Sequence, residues 1–355
     1  MWYHRRMEVD SLMLATKRAV DAYIMDRIHD RVVQAAVMHP RYERLWQEIA
    51  RIYQAGGKRM RPYLTVVGYG KMDTAIIPVA AAQELLHVAM LVHDDIIDQD
   101  TMRHSQATIN GAQETHYAPL LPPRQTTHYA NSVALLAGDA LLSEAYHLVQ
   151  STPFSPSVIL QLSERLSQSV FEAIGGELID VEAGFIMTER FDPMTIYRYK
   201  TASYSLVGPL VSGALCAEVD EATLNLLQEF GTQCGIAFQL QDDLIGVFGD
   251  EATTGKPADT DVREGKHTVL IVEHQKMMNN EQAARFAEWF GVHDAPSEAL
   301  HQLKQDIDAS GARKKTEAIT QQHFAQARAT LDKIPRGFRR DELEQFVDRL
   351  QERSC

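Results

Sequence analysis

The sequence has little of what would make a secreted, membrane-spanning or nucleic-acid-binding protein. Cysteine occurs only three times among 355 residues, at Cys216, Cys234 and Cys355. The number is odd, the positions lie far apart and no CxxC or metal-type spacing is present. A disulfide framework is therefore not expected, and a reduced, cytoplasmic protein is. An excess of positive charge is also missing, since the formal net charge is −13. That balance argues against nucleic acid or an anionic membrane as the main partner, and it confines any anionic substrate to a local basic pocket. No apolar run reaches the ~20 residues of a membrane span, so no transmembrane segment is expected. The stretch from Val133 to Leu142 is interrupted by Asp139, and the opening MWYHRRMEVD lacks the apolar core of a secretory signal. Alternating Val, Ile and Thr runs bounded by turns are nearly absent, which removes the usual signal for strands and hairpins. With no low-complexity linker and no internal repeat, a single domain over residues 1–355 is expected.

What is present is helical periodicity. Apolar residues recur at spacings of three and four from Leu12 to Met38, Ala75 to Ile97, Val158 to Gly184 and Leu224 to Val247. An all-α helical bundle follows. Gly56-Gly57 interrupts the chain before Pro62, a residue suited to a helix's first turn. The stretch from Asn110 to Thr127, with Pro119, Pro122 and Pro123, reads as an irregular connection, and Asp250 to Glu264 reads as a polar loop.

The chemistry begins at His93-Asp94-Asp95-Ile96-Ile97-Asp98-Gln99-Asp100, where an apolar helix ends. Residues four apart on a helix project about 40° apart, so Asp94 and Asp98 share a face. Two carboxylates so placed suit a hard cation also held by phosphate oxygens, which is how magnesium is usually bound. A lone motif of this kind is equally a solvated acidic helix end. A second acidic pair, Asp242-Asp243, again late in a helix, changes the reading. Two inward-facing acidic clusters repel each other unless cations lie between them, which implies a metal-bound polyanionic substrate. Gly56-Gly57-Lys58-Arg59-Met60-Arg61-Pro62 places three positive charges at the approach to a helix, where backbone N–H groups and arginine forks favour phosphate. Lys200, Lys256 and Lys266 are further candidates.

This set of motifs, in this order, resembles the trans-prenyl diphosphate synthases, the group containing farnesyl and geranylgeranyl diphosphate synthases. The matching pieces are GGKRMRP at 56–62, LLHVAMLVHDDIIDQDTMRH at 85–104 and LAGDALL at 136–142. KTAS at 200–203, GIAFQLQDDLIGVFGD at 235–250 and TGKPADTDVREGKHT at 254–268 complete the set. The resemblance implies an all-α bundle of the isoprenoid synthase type around a deep central cavity, usually a homodimer. It implies a reaction that couples an allylic diphosphate to isopentenyl diphosphate and releases diphosphate.

Carried over by position, Asp94, Asp98 and Asp242 would hold magnesium, three ions with substrate bound. Arg103, Lys200, Lys256 and Lys266 would bind the allylic diphosphate. Lys58, Arg61, His87 and His104 would seat isopentenyl diphosphate. Gln239 and the Thr201 carbonyl, beside Lys200, would face the allylic cation. Ala89 and Met90, five and four residues before Asp94, would bear on product length. Their lack of aromatic bulk implies twenty carbons or more, with Leu85, Leu86 or residues across the cavity as the alternative floor. His87 lies seven residues before Asp94, about 20° away in projection, so helix geometry independently places it on that face.

Three departures stand out. His104 occupies a position where the family usually has arginine, and an imidazole is only partly charged near neutrality, so weaker isopentenyl diphosphate binding is expected. Gly246 stands where a third aspartate is usual, with Asp250 a possible substitute. The 110–127 stretch is longer than usual and has no functional account. The Asp250–Glu264 loop is the candidate lid. Two other readings are a class I terpene cyclase, which needs no isopentenyl subsite, and a non-catalytic regulatory subunit, which typically loses an acidic motif.

Overall fold

A computed structural model of the chain describes residues 2–103, 106–186, 192–249, 260–292 and 294–352. Among them helices dominate, and the only strands are the two-residue pair Met102–Arg103 and Gln106–Ala107. The chain falls into two compact units, Met1–Ser167 with Gly208–Val219, and Gln168–Val207 with Asp220–Cys355.

The first unit is built on α1 (Trp2–Met38), α2 (Pro40–Gln54), α3 (Met60–Tyr69), α4 (Ile77–Ile97), α5 (Ile109–Tyr117) and α6 (Pro123–Gln150). The helix Gly208–Cys216 belongs to it as well. α4 is its centre: Leu85, Leu86 and Ala89 are fully enclosed, and each large apolar side chain so buried contributes about 1.5–3 kcal/mol. α4 packs on α6, and α3 on Gly208–Cys216. The second crossing is close enough that a Cβ at Gly68 would strike the Leu210 backbone and one at Gly213 the Thr65 backbone. Polar ties cross the unit too. Gln83 Nε2 donates to Ser212 Oγ at 3.0 Å, and buried Glu144 on α6 accepts from Arg27 and Arg31 of α1 at 2.9 and 2.6 Å.

Thr74–Ile97 is the one helical stretch among the described residues long and apolar enough to cross a membrane. Glu84 and His87 interrupt its apolar run. Most of it is buried inside the protein, as a core helix requires. The expected irregular connection at 110–127 is also corrected. Thr108 caps α5 by accepting from the Gly111 N–H at 3.1 Å, and Pro122 and Pro123 open α6, where a missing N–H costs nothing.

The second unit centres on α7, Glu221–Phe248, which is capped by Asp220 and packs on the segment Tyr197–Val207 and the helix Ala312–Leu331. Tyr197–Val207 is wound as a π-helix, an uncommon winding that recurs at functional positions. Ile196, Tyr197, Ala202, Ile236, Leu240 and Val269 form one apolar cluster beside it. Leu244, Val247, Leu270, Ile271, Phe286 and Leu303 form another.

Candidate active site

α4 delivers its acidic residues at its C-terminal end. Asp98 caps the helix, its N–H donating to the Asp94 carbonyl at 2.8 Å, so the two carboxylates stay one turn apart on the same face. The chain then reverses through Gln99, whose φ of 59° lies in the left-handed region. The returning strand carries Arg103 back over the acidic end. Its Nε donates to Asp95 Oδ1 at 2.6 Å, and its Nη2 lies 3.3 Å from Asp94 Oδ2 and 3.6 Å from Asp100 Oδ2. Asp95 is buried, and burial pushes its carboxyl up to about 6 against the opposing pull of the Arg103 charge. Asp95 therefore anchors Arg103, while Asp94 is half-buried and Asp98 exposed.

These donors fit magnesium shared with a substrate. They are hard carboxylate oxygens, and among the described residues no third His, Cys, Asp or Glu completes a cage of protein ligands. An ion here would keep positions for water and phosphate oxygens.

Further back on α4, His87 is held neutral. Burial lowers its pKa well below the ordinary value, and the charges of Arg61, Arg103 and Arg59 lower it further. Lys58 is exposed and Arg61 half-buried in the first turn of α3. Ala89 is fully enclosed and Met90 half-buried.

The second unit holds the other cluster. Thr201 Oγ1 donates to Gln239 Oε1 at 2.9 Å, and Gln239 Nε2 donates to Asp243 Oδ1 at 2.9 Å. The Tyr197 hydroxyl donates to Asp243 Oδ2 and accepts from the Val269 N–H at 2.8 Å. Burial, then the Asp261 charge, pushes the Asp243 carboxyl up to about 8. Asp243 is thus a buried tie between α7 and the π-helix, and Asp242 beside it is half-buried. Lys200 Nζ lies 2.6 Å from Asp180 Oδ2 and 2.9 Å from Glu177 Oε2. Lys266 pairs with Glu264 at 2.7 Å.

The sequence profile of the polyprenyl synthetase family matches residues 43–307. The chain belongs to that family. It is 30% identical to the short chain isoprenyl diphosphate synthase of Methanocaldococcus jannaschii, over 75% of this chain and 78% of that one. It is 29% identical to the geranylgeranyl diphosphate synthase of Sulfolobus acidocaldarius, over 72% and 74%. In three dimensions it resembles geranylgeranyl pyrophosphate synthase from Corynebacterium glutamicum, solved with isoprenyl diphosphate and magnesium. The TM-score is 0.87 at 28% identity, covering 98% of this chain and 99% of that one. The chain is therefore a prenyltransferase with the all-α isoprenoid synthase fold.

Within this polyprenyl synthetase, Arg103 and Asp94 meet directly, as do Thr201 and Gln239. His104, Lys256 and Asp250 lie outside the described residues, as does most of the 250–264 loop. The residues that sequence reading missed are partners: Asp95 for Arg103, Glu177 and Asp180 for Lys200, and Tyr197 for Asp243. Another is Asp261. A Cβ at Gly246 would collide with the Asp261 carboxylate, so the position of the usual third aspartate is covered by an acidic side chain from the turn Thr260–Arg263. Arg59 is corrected as well. It reads as one of three phosphate-facing cations, but it is buried and bound to Asp21 and Glu84.

Proposed function

We propose that this prenyltransferase couples an allylic diphosphate to isopentenyl diphosphate, both units acting as one domain. The observation that carries the reading is the end of α4, where Asp94 and Asp98 share a face and the Arg103 guanidinium folds over Asp94 and Asp95. Arg103, Lys200, Lys256 and Lys266 would grip the allylic diphosphate, and Lys58, Arg61, His87 and His104 the isopentenyl one. The allylic C1–O bond breaks and its electron pair departs with diphosphate. The isopentenyl double bond then attacks C1, and the proton lost from the isopentenyl C2 goes to the released diphosphate. Magnesium held by Asp94, Asp98 and Asp242 would supply Lewis-acid stabilisation of the leaving group. The Gln239 amide, oriented at both ends by Thr201 and Asp243, presents a fixed dipole near the allylic carbon without reorganising. Thr201 contributes its carbonyl in the same role. No protein side chain is needed as base.

The reading is tested by incubating purified protein with magnesium, labelled isopentenyl diphosphate and each allylic starter, and resolving products by length. Label entering longer prenyl diphosphates, and its loss with EDTA, is the expected result. Cyclic hydrocarbons without label would show a cyclase instead, and activity only with an added subunit would show a regulatory chain. A second copy is the expected partner. Phe171, Ile174 and Leu178 form one exposed apolar face of the helix Pro156–Phe185, and Leu135 and Leu136 are exposed on α6. Sedimentation of the same preparation as a monomer at micromolar concentration would contradict this. Cys216 and Cys234 are free and buried, in keeping with a cytoplasmic location.

The product is twenty carbons or longer. Ala89 is small and fully enclosed on α4, at a position where an aromatic ring would block a lengthening chain. Ala89→Phe should shorten the main product by at least one isoprene unit. Its melting temperature should fall as well, because overpacking an enclosed site costs about 1–3 kcal/mol. Chromatography of the products decides, and an unchanged distribution rejects the assignment.

A further inference from the structure

Lys58 and Arg59 are adjacent cations that point opposite ways. Lys58 is exposed, whereas Arg59 is only 5% exposed. Arg59 sits at φ 53° and ψ 43°, a left-handed conformation that a non-glycine residue keeps only when its surroundings impose it. The imposing contacts come from three elements. Arg59 Nε donates to Asp21 Oδ1 on α1 at 2.6 Å, and Nη1 donates to Glu84 Oε1 on α4 at 2.9 Å. Nη1 also reaches the Gly56 carbonyl at 2.9 Å, Nη2 the Tyr53 carbonyl at 3.0 Å, and the guanidinium lies 4.1 Å from the centre of the Tyr53 ring. The Tyr53 hydroxyl in turn donates to Asp21 Oδ1 at 2.6 Å. Gly57 has φ 137°, and a Cβ there would come within 2.6 Å of Arg59 Nη1, so the loop is shaped around the guanidinium.

Glu84 extends the network to the substrate side. It is 3% exposed, its Oε2 has no hydrogen-bond partner, and it lies in the fields of both Arg59 and Arg61. It stands one turn before His87 on α4. We infer that Arg59 is a positioning residue for the isopentenyl diphosphate subsite, a buried strut that fixes the backbone from which Lys58 and Arg61 project and ties it through Glu84 to the helix carrying His87. This rests on the reading that Lys58, Arg61 and His87 seat that diphosphate. Stability alone is a weak reason for such a network, because well-packed apolar side chains often replace a buried ion pair without loss. What an arginine fork adds is fixed geometry, which lysine, a single point charge, does not reproduce.

The test is Arg59→Lys in the full chain, with each substrate varied in turn. A small misplacement of binding groups is expected to raise KM for isopentenyl diphosphate about tenfold, with KM for the allylic diphosphate unchanged within about twofold and kcat little altered. Asp21→Asn, a milder change at a half-exposed partner, should raise the same KM about threefold and keeps the test open if Arg59→Lys does not fold. Lys58→Ala calibrates the subsite, and adding Arg59→Lys to it should raise KM by less than the full tenfold, since only the effect passed through Arg61 and His87 remains. If Lys58→Ala leaves KM for isopentenyl diphosphate unchanged, the underlying subsite assignment fails. If Lys58→Ala raises it while Arg59→Lys and Asp21→Asn lower only the melting temperature, or raise both KM values alike, Arg59 is merely structural and the inference is overturned.

Discussion

Asp94→Ala should lower kcat by about 10³-fold at saturating substrates and magnesium, the scale expected when one fixed element of leaving-group stabilisation is removed. The loss belongs in kcat because charge builds on the diphosphate only as its bond to carbon breaks. Asp94 is half-buried, and Arg103 keeps its shorter contact to Asp95 at 2.6 Å, so the melting temperature should hardly move. The residual activity should need more magnesium, since one of the two donors on the α4 face is gone. Asp95→Ala should behave in the opposite way. Asp95 is the buried partner of Arg103, and removing it leaves a guanidinium without its main counter-charge, costing about 3–5 kcal/mol of stability. Steady-state kinetics and thermal melts on the two variants separate the roles. A fall in kcat below tenfold for Asp94→Ala would take that residue out of the metal site.

The acidic end of α4 was legible because its information is local. A helical period placed Asp94 and Asp98 on one face, and the capping geometry at Asp98 agrees. The four periodic segments likewise fall within α1, the Thr74–Ile97 stretch, Pro156–Phe185 and α7. What could not be read depends on contacts far apart in sequence. Lys58, Arg59 and Arg61 are chemically alike on paper, and only burial against Asp21 and Glu84 separates the strut from its neighbours. Gly246 looks like a lost ligand until the Asp261 carboxylate is seen packed on it. The π winding of Tyr197–Val207 leaves no mark in apolar periodicity, yet it places Tyr197 against Asp243 and Thr201 against Gln239. The prolines at 119, 122 and 123 suggested an irregular connection because proline is a strong local signal. It marks a helix start as readily as a break, and here it does so at α6.

Lys200→Ala should reduce kcat/KM for the allylic diphosphate by about 10²-fold, with KM for isopentenyl diphosphate unchanged. Lys200 neutralises two carboxylates, with its Nζ 2.6 Å from Asp180 and 2.9 Å from Glu177. On the proposed binding mode, removing it does two things: the diphosphate loses a cation, and two carboxylates beside it lose this counter-charge. The second effect makes the loss larger than that of a lone surface lysine, because these partners are 34% and 21% exposed and are only partly screened. Lys200→Gln should be nearly as damaging, since it keeps a donor but restores no charge. The double variant Lys200→Ala/Asp180→Ala separates the two contributions. Deleting one orphaned carboxylate should recover part of the loss, about threefold to tenfold, and the remainder measures the direct contact with phosphate. If the double variant regains full activity, Lys200 serves only to hold Glu177 and Asp180, and the phosphate contact falls to Arg103 and the lysines of the 250–268 segment.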